Sequence, residues 1–247
     1  MILVVVGCIV AYLYFTHAWE KKDKNQDPIF TMENYPKIDG STATLPLAQA
    51  YKSAFTGTSI ENVDVTHSKT HNAYVNLINK KSDLILVTYP SDDEQKLAKE
   101  KGIELEIVPI VKDAFVFFVN TENPVESLTL EQIQGIYTGN IKNWKDVGGD
   151  NERIVAYQRP ANSGSQSGML SLVMKGKKMM DPTTETISQT MSDIVDVISD
   201  YTNGKTAIGY SYYYYATTMY TKDKMKLLGV NGVDPTYENI KSGLYSL

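Results

Sequence analysis

The sequence predicts an α/β fold in which strands alternate with helices, on three observations. Short runs of large apolar residues that are typical of buried strands occur at Leu84–Val87 and Ala114–Asn120. Segments whose apolar residues recur at helical spacing, among them Leu45–Phe55 before these runs and Leu130–Tyr137 after them, alternate with strand-like runs along the chain. The 247 residues are enough for one large core or two modest ones. A βαβαβ order of this kind predicts a parallel sheet flanked by helices.

The other elements follow from local composition. The bulky FVFFV run within Ala114–Asn120 suits the centre of a sheet. Asp92 and Asp93 favour a helix start, because their charges complement the partial positive charge there. The further expected strands are Tyr35–Ile38 (followed by a turn at Asp39-Gly40-Ser41), Val63–Thr66, Ile103–Ile110, Val155–Gln158 and Ala207–Tyr210. The further expected helices are Tyr74–Asn79, Asp92–Lys101, Gly168–Lys175 and Ile187–Ser199.

Composition excludes several classes of protein. The chain carries 24 Lys+Arg against 29 Asp+Glu, a net charge of −5, which argues against a nucleic-acid partner because such proteins usually carry excess basic charge. The single cysteine, Cys8, excludes an intrachain disulfide and any zinc or iron–sulfur site ligated by several cysteines. With 42% hydrophobic residues and 17 Tyr, the chain can bury enough surface to offset its conformational entropy.

The N-terminal segment 1–19 predicts a membrane anchor. It contains no acidic or basic residue, and 19 helical residues span roughly 28 Å, about the thickness of a bilayer core. A buried core helix is an alternative, and the lipobox-like Val5-Val6-Gly7-Cys8 suggests a lipoprotein signal as another. We expect an uncleaved anchor, followed by a polar linker over 20–33. Three lysines follow the segment and none precedes it, so positive charge alone favours a cytoplasmic domain.

Three loops share a composition that suits anion binding. Each connects an expected strand to an expected helix and is rich in small hydroxyl residues; they are Asp39–Thr44, Thr66–Thr70 and Arg159–Ser165. A helix start presents unpaired N–H groups and a partial positive charge, and hydroxyls add further donors. Arg159 adds a fork that fits a tetrahedral oxyanion. Any one loop could be an ordinary helix cap, but three in one chain point to an anion site.

The third loop carries a resemblance to a known family. The run Ala156-Tyr-Gln-Arg-Pro-Ala-Asn-Ser-Gly-Ser-Gln-Ser-Gly168 resembles the arginine–serine–glycine loop of the phosphate-binding receptors of ABC phosphate importers. Gly40–Pro46, Ile136–Trp144 and Val233–Ile240 are similar to other segments of the same family. The resemblance covers roughly residues 34–247.

This resemblance implies a two-lobed, periplasmic-binding-protein type II fold with the ligand in a cleft between the lobes. Lobe one would hold 30–112 plus 213–247, and lobe two would hold 113–212. The four consecutive tyrosines Tyr212–Tyr215 are then expected to pack between the lobes, although stacking on a sugar or base is an alternative.

The resemblance also implies a set of ligand-binding residues. They would be hydroxyl and backbone N–H donors around one charged clamp: Thr44 (hydroxyl), Leu45 (backbone N–H), Thr70 with Ser68 as its alternative, Thr88, Arg159 (the clamp), and Ser163, Gly164 and Ser165 as a cradle at a helix start. The chain departs from the family at two positions. Thr88 stands where these receptors usually have a carboxylate that accepts the proton of phosphate, and Ala161 stands where they usually have Asp.

The implied function is an extracytoplasmic, membrane-anchored receptor that captures phosphate or a similar oxyanion and delivers it to an ABC permease and ATPase. The alternative is a membrane-tethered oxyanion-sensing domain of the same fold without a transport role. We expect no enzymatic activity and no cofactor. Gln166 occupies the position in Gly164–Gly168 where a hydrolase elbow has its nucleophile. His67 and His71 have metal-ligand spacing but no evident third ligand, so we expect no metal.

Overall fold

The computed structural model describes residues 28–182, 187–188, 190–200 and 204–247. The expected anchor, 1–19, and most of the expected linker lie outside the described residues. Among the helices of the described ranges, none is long and apolar enough to cross a bilayer. The chain divides into two compact units. Unit 1 contains the residues up to Lys112 together with Asn162–Gly164, and unit 2 contains Asp113–Ala161 and Ser165–Leu247.

Unit 1 is a small α/β structure around a two-stranded sheet. Its elements are β1 (Ile38–Gly40), a 3₁₀ turn (Thr42–Thr44), α1 (Leu45–Thr56), a 3₁₀ turn (Ile60–Asn62), α2 (Thr70–Ile78), β2 (Leu84–Leu86) and α3 (Asp92–Glu100). Strands β1 and β2 are parallel, with Ile38 opposite Leu84. Leu47 and Ala48 of α1 pack on Leu86 of the sheet. The expected parallel arrangement is confirmed in this unit.

Two expected strands of unit 1 are absent. Neither Val63–Thr66 nor Ile103–Ile110 forms a strand. In the second run Ile107, Val108 and Ile110 are 50%, 64% and 49% exposed. A strand requires hydrogen bonds to a neighbour, and β-branched composition alone does not supply them. The turn expected at Asp39-Gly40-Ser41 is also wrong, because β1 continues through Gly40.

Unit 2 is built on a five-stranded sheet in the order β4-β7-β3-β6-β5. The strands are β3 (Phe115–Asn120), β4 (Ser127–Leu128), β5 (Val155–Ala156), β6 (Ala207–Tyr212) and β7 (Met225–Val230). The α-helices are α4 (Leu130–Tyr137), α5 (Gly164–Gly168, whose first residue belongs to unit 1), α6 (Met191–Ser199) and α7 (Tyr237–Ser242). Shorter turns occupy Trp144–Val147, Met169–Met174, Gly204–Thr206 and Tyr215–Met219, of which the second and fourth are π-helical.

The expectation that FVFFV lies at a sheet centre is confirmed, because β3 is the middle strand and is buried throughout. The expectation of a parallel sheet is only partly correct in this unit. β3 is antiparallel to both β6 and β7, whereas the β4–β7 and β5–β6 pairs are parallel. Alternating strands and helices predict parallel pairing where one helix connects neighbouring strands. β3 is joined to neither neighbour in that way.

Helix α6 closes one side of this sheet. Ile194 and Ile198 pack with Phe118 and Ala207 in a fully buried cluster. Gly209 of β6 provides the space, because a Cβ atom there would lie 2.3 Å from Cγ2 of Ile194. The close approach of helix and sheet therefore depends on glycine at this position.

Helix boundaries follow capping signals where these are local. α4 has its expected bounds because Thr129 and Gln132 form a capping box. The helix expected over Gly168–Lys175 begins four residues earlier, at Gly164, and continues as the π-helical turn Met169–Met174.

The C-terminal residues pack within unit 2. Tyr245 donates its hydroxyl hydrogen bond to the carbonyl of Phe115 at 2.9 Å, and the N–H of Phe115 donates to the carbonyl of Leu247 at 3.1 Å. The sequence prediction assigned 213–247 to lobe one, whereas these residues lie in unit 2. The boundaries of the two lobes remain a prediction.

Candidate functional site

The carboxylate of Asp39 connects the first two hydroxyl-rich loops. Its oxygens accept hydrogen bonds from the N–H of Gly40 at 2.7 Å, from the N–H of Ser68 at 2.7 Å, from the Ser68 hydroxyl at 2.5 Å and from Nδ2 of Asn76 at 2.8 Å. Both donors of Ser68, a predicted ligand-binding residue, are therefore bonded to Asp39. The role of Asp39 is not recognisable from the sequence, because Ser68 and Asn76 lie at distant positions in the chain.

These hydrogen bonds predict a pH-dependent contribution to stability. Burial raises the pKa of Asp39, but the hydrogen bonds from Ser68, Asn76 and Gly40 outweigh it and hold the pKa below the ordinary value of 3.8. A lowered pKa means that the folded state binds its proton less readily than the unfolded state, so this contribution is present above about pH 4 and is lost as the pH falls through the lowered pKa. We expect Asp39→Asn to lower the free energy of unfolding by about 1–3 kcal/mol at neutral pH. The difference should shrink in acid.

Urea unfolding of the parent and the variant across the acid range measures this difference. Asp83→Asn is the matched control, because Asp83 is exposed and its carboxylate accepts one backbone hydrogen bond, from the N–H of Lys37 at 2.7 Å. A stability difference for Asp39→Asn that does not depend on pH would contradict the assignment.

The donors expected from Thr44 and Leu45 have protein acceptors in this structure. The Thr44 hydroxyl lies 2.7 Å from the carbonyl of Leu86, and the Leu45 N–H donates to the carbonyl of Thr42. Nδ1 of His67 lies 2.7 Å from the carbonyl of Ser41, while its Nε2 is buried with no hydrogen-bond partner among the described residues. The first loop is thus held to the sheet by its own polar groups.

Three predicted site residues come together in unit 1. A Cβ atom built on Gly164 would lie 2.7 Å from Oγ1 of Thr70 and 3.3 Å from Oγ1 of Thr88. Thr70 is the first residue of α2, and Thr88 lies in the connection between β2 and α3. Glycine at 164 is what lets the backbone approach both hydroxyls closely. Ser163 directly precedes this glycine, also within unit 1.

The backbone around these hydroxyls is held in an unusual conformation. Lys69, directly before Thr70, has φ 73° and ψ 162°, a region that is essentially restricted to glycine. On the other side, the hydroxyl of Tyr74 donates to the carbonyl of Thr88 at 2.6 Å. Oγ1 of Thr88 is buried and has no hydrogen-bond partner among the described residues. An unbonded buried hydroxyl is costly, which makes Thr88 a candidate ligand-binding group.

In unit 2 the candidate group is the Arg159 guanidinium. Its Nε and Nη1 atoms are buried and have no hydrogen-bond partner within the described ranges. Burial lowers the pKa of Arg159 from its usual value, and Tyr210, Asp193 and Tyr215 offset part of this effect. Arginine remains charged nonetheless, and a desolvated cation is stabilised by an anion. Oγ of Ser165, buried in the same unit, likewise lacks a partner among the described residues.

Sequence reasoning missed the groups that hold the main chain of Arg159. Its N–H lies 3.1 Å from Oε1 of Gln166 and 3.2 Å from the hydroxyl of Tyr210. Gln166 was considered only as the residue that replaces a nucleophile. Gln166 lies seven residues after Arg159, and no local pattern in the sequence marks this contact.

The histidines considered as metal ligands have other partners. Nδ1 of His71 pairs with Oε1 of Glu94 at 2.8 Å, and Glu94 is 1% exposed. The same carboxyl group accepts the N–H and hydroxyl of Ser91 at the start of α3. Within the described residues, no three His, Cys, Asp or Glu side chains are grouped to hold a metal ion.

The fold and these loops are typical of α/β binding proteins. A family model for a PBP superfamily domain matches residues 33–247, and the chain belongs to this family. It is a family of binding proteins rather than of enzymes.

The chain is similar to proteins named phosphate-binding protein PstS. It is 33% identical over 129 residues to the one from Bacillus subtilis, covering 52% of this chain and 40% of that protein. It is 29% identical over 229 residues to the one from Staphylococcus saprophyticus, covering 87% of this chain and 68% of that protein. The chain thus matches less than half the length of the Bacillus relative.

Solved structures agree with the fold. The chain resembles a Clostridium perfringens protein described as a phosphate ABC transporter substrate-binding protein with bound phosphate, with a TM-score of 0.65 and 28% identity over 85% of this chain and 81% of that one. An ABC-type phosphate transport receptor from Vibrio cholerae has a TM-score of 0.55 at 24% identity, covering 85% and 82% of the two chains, and supports the fold alone.

Proposed function

We propose that this protein is an extracytoplasmic receptor that binds inorganic phosphate or a similar tetrahedral oxyanion and delivers it to an ABC importer. The observation that carries the proposal is the Arg159 guanidinium, whose buried Nε and Nη1 have no protein acceptor among the described residues. A compact oxyanion can accept two parallel hydrogen bonds from such a fork. The names of the relatives and the phosphate bound in the Clostridium structure support phosphate as the ligand.

The proposed ligand-binding groups are hydroxyls, backbone N–H groups and one cation. The groups with the strongest structural support are the hydroxyls of Thr70, Thr88 and Ser165, the backbone at Gly164, and Arg159. Thr44, Leu45, Ser68 and Ser163 remain predictions from the family resemblance. That donors of both units serve one ligand is likewise part of the proposal and rests on that resemblance. Anchoring through residues 1–19 rests on the sequence alone.

The residue at 88 bears on which oxyanion is preferred. Phosphate carries a proton near neutral pH and can donate a hydrogen bond through it, and an ionised carboxylate can only accept hydrogen bonds, so a carboxylate favours phosphate over fully ionised sulfate. The Thr88 hydroxyl both donates and accepts. In unit 1, the carboxylates of Asp39 and Glu94 already accept several hydrogen bonds each. We therefore propose weak discrimination against sulfate.

Isothermal titration with phosphate, sulfate and arsenate tests the proposed function. We expect phosphate and arsenate to bind with one site per chain and sulfate to compete with them measurably. We expect sulfate to compete because the hydroxyl groups of the proposed site can donate hydrogen bonds to all three anions. Absence of binding by all three would refute the proposal, and turnover of a chromogenic phosphoester would favour a hydrolase instead.

Thr88→Asp is the informative companion variant. We expect it to reduce sulfate affinity by at least about tenfold, because the introduced carboxylate repels a fully ionised anion. Phosphate affinity should fall less, because protonated phosphate can donate a hydrogen bond to the carboxylate. If a large excess of sulfate leaves phosphate binding to the parent protein unchanged, the argument from Thr88 is wrong.

A further inference from the structure

We propose that Tyr210 and Gln166 are positioning residues that hold the main chain of Arg159 and thereby aim its guanidinium. The inference rests on the proposed function, in which Arg159 binds the anion. Neither residue is proposed to touch the ligand. Their role is to fix the backbone from which the charged side chain extends.

The contacts connect three polar groups to one another. The Tyr210 hydroxyl donates a hydrogen bond to Oε1 of Gln166. The N–H of Arg159 points at both acceptors, 3.2 Å from the Tyr210 oxygen and 3.1 Å from Oε1 of Gln166. Each of the three groups therefore has a partner within the set, and the Arg159 N–H is fixed by two atoms instead of one.

The surroundings make this set rigid. Tyr210 is 0% exposed and Gln166 is 6% exposed. The Tyr210 ring packs against Phe115, Phe117 and Tyr137, with centroids 5.5, 6.3 and 5.6 Å away. Nε2 of Gln166 lies 3.5 Å from the sulfur of Met179. A phenol held on several sides has little freedom to move, so it can hold the loop in place.

The arrangement also explains why these polar groups are buried. A buried hydroxyl and a buried amide cost free energy unless both are hydrogen-bonded, so polar groups at these positions add little to stability by themselves. The set instead fixes a loop whose side chain carries a desolvated charge. A displacement of about 1 Å in such a group can greatly weaken its interaction with a small, rigid partner.

Phosphate titration of Tyr210→Phe tests the inference. We expect the dissociation constant to rise by about three- to tenfold. Tyr137→Phe is the matched control, because it removes another buried hydroxyl from the same aromatic cluster, one whose described hydrogen-bond partner is the carbonyl of Ile208 at 3.4 Å. We expect this control to change the constant by less than about twofold.

A double-mutant cycle separates positioning from general destabilisation. If Tyr210 acts through Arg159, Tyr210→Phe has almost no further effect on phosphate affinity in the Arg159→Ala background. An equal effect in both backgrounds, or an unchanged constant for Tyr210→Phe alone, would overturn the inference. Gln166→Met removes the second acceptor and should give the same pattern if Tyr210→Phe does not fold.

Amide hydrogen exchange gives a readout that does not depend on phosphate. We expect the Arg159 amide to exchange about fivefold faster in Tyr210→Phe and at the parent rate in Tyr137→Phe. The Tyr157 amide, bonded to the carbonyl of Ile208 at 3.0 Å, is the internal reference. Equal acceleration at Tyr157 and Arg159 would overturn the inference. A parent protein that binds no phosphate would refute the proposed function, while the exchange data would still decide the positioning role.

Discussion

Replacing Arg159 with alanine is expected to weaken phosphate binding by about 2–5 kcal/mol, the usual cost of removing one partner from a buried, hydrogen-bonded charge pair. The guanidinium has two buried nitrogen atoms, Nε and Nη1, without a protein acceptor among the described residues. We propose that the anion accepts from them. Stability should change little or increase, because the variant removes a cation whose burial disfavours its charged form and so lowers the pKa of Arg159.

Arg153→Ala is the matched control, since Arg153 is the other arginine of the chain and is exposed. It changes the net charge by the same amount but should leave the dissociation constant within about twofold at physiological salt, where distant surface charges are screened. Isothermal titration measures both variants. Equal phosphate affinities for Arg159→Ala and the parent protein would show that Arg159 does not bind the anion.

Gly164→Ala is expected to weaken binding by about 1.5–3 kcal/mol, roughly 10- to 140-fold, which is the range for a hydrogen bond to a charged group. The added methyl group would lie 2.7 Å from Oγ1 of Thr70 and 3.3 Å from Oγ1 of Thr88, so these hydroxyls must move. The methyl group would also occupy space at the helix start that the proposal assigns to the anion.

Thermal unfolding distinguishes this local effect from misfolding. Alanine is a better helix former than glycine, which offsets part of the crowding at the first residue of α5. Gly164→Ala should therefore lose affinity with only a small change in melting temperature. Gly209→Ala is the contrasting variant, because its methyl group would lie 2.3 Å from Ile194 in the core and should lower stability with no direct effect at the loops. An unchanged phosphate affinity in Gly164→Ala would contradict the placement of the anion.

Local signals predicted some of the described helices: α1, α3 and α4 have nearly the expected bounds, whereas α2 and α5 begin four residues earlier than expected and α6 begins four residues later. The capping box at Thr129 and the left-handed Gly57 after α1 act within a few residues, and the helices they delimit have nearly the expected bounds. Pairing of strands is not local. Ile103–Ile110 has strand composition but forms no strand, and β3 is antiparallel to its neighbours although the order of elements suggested a parallel sheet.

The candidate site, too, was predictable only in part, because the contacts that arrange its loops join residues far apart in the sequence. Thr70, Thr88 and Gly164 could be named from the family resemblance, and they lie together in unit 1. The groups that arrange the loops could not be named. Asp39 is bonded to Ser68 29 positions away, and Tyr210 is bonded to Gln166 44 positions away, so no local pattern marks either contact.

An NMR titration with phosphate tests the central claim most directly, because it observes the proposed groups in both units at once. The Arg159 side-chain Nε–H signal and the methyl signals of Thr70 and Thr88 should all shift, with a common dissociation constant and saturation at one equivalent. An Arg159 signal that stays in place while phosphate saturates the threonines, or separate constants for the two groups, would contradict the claim that they bind the same anion.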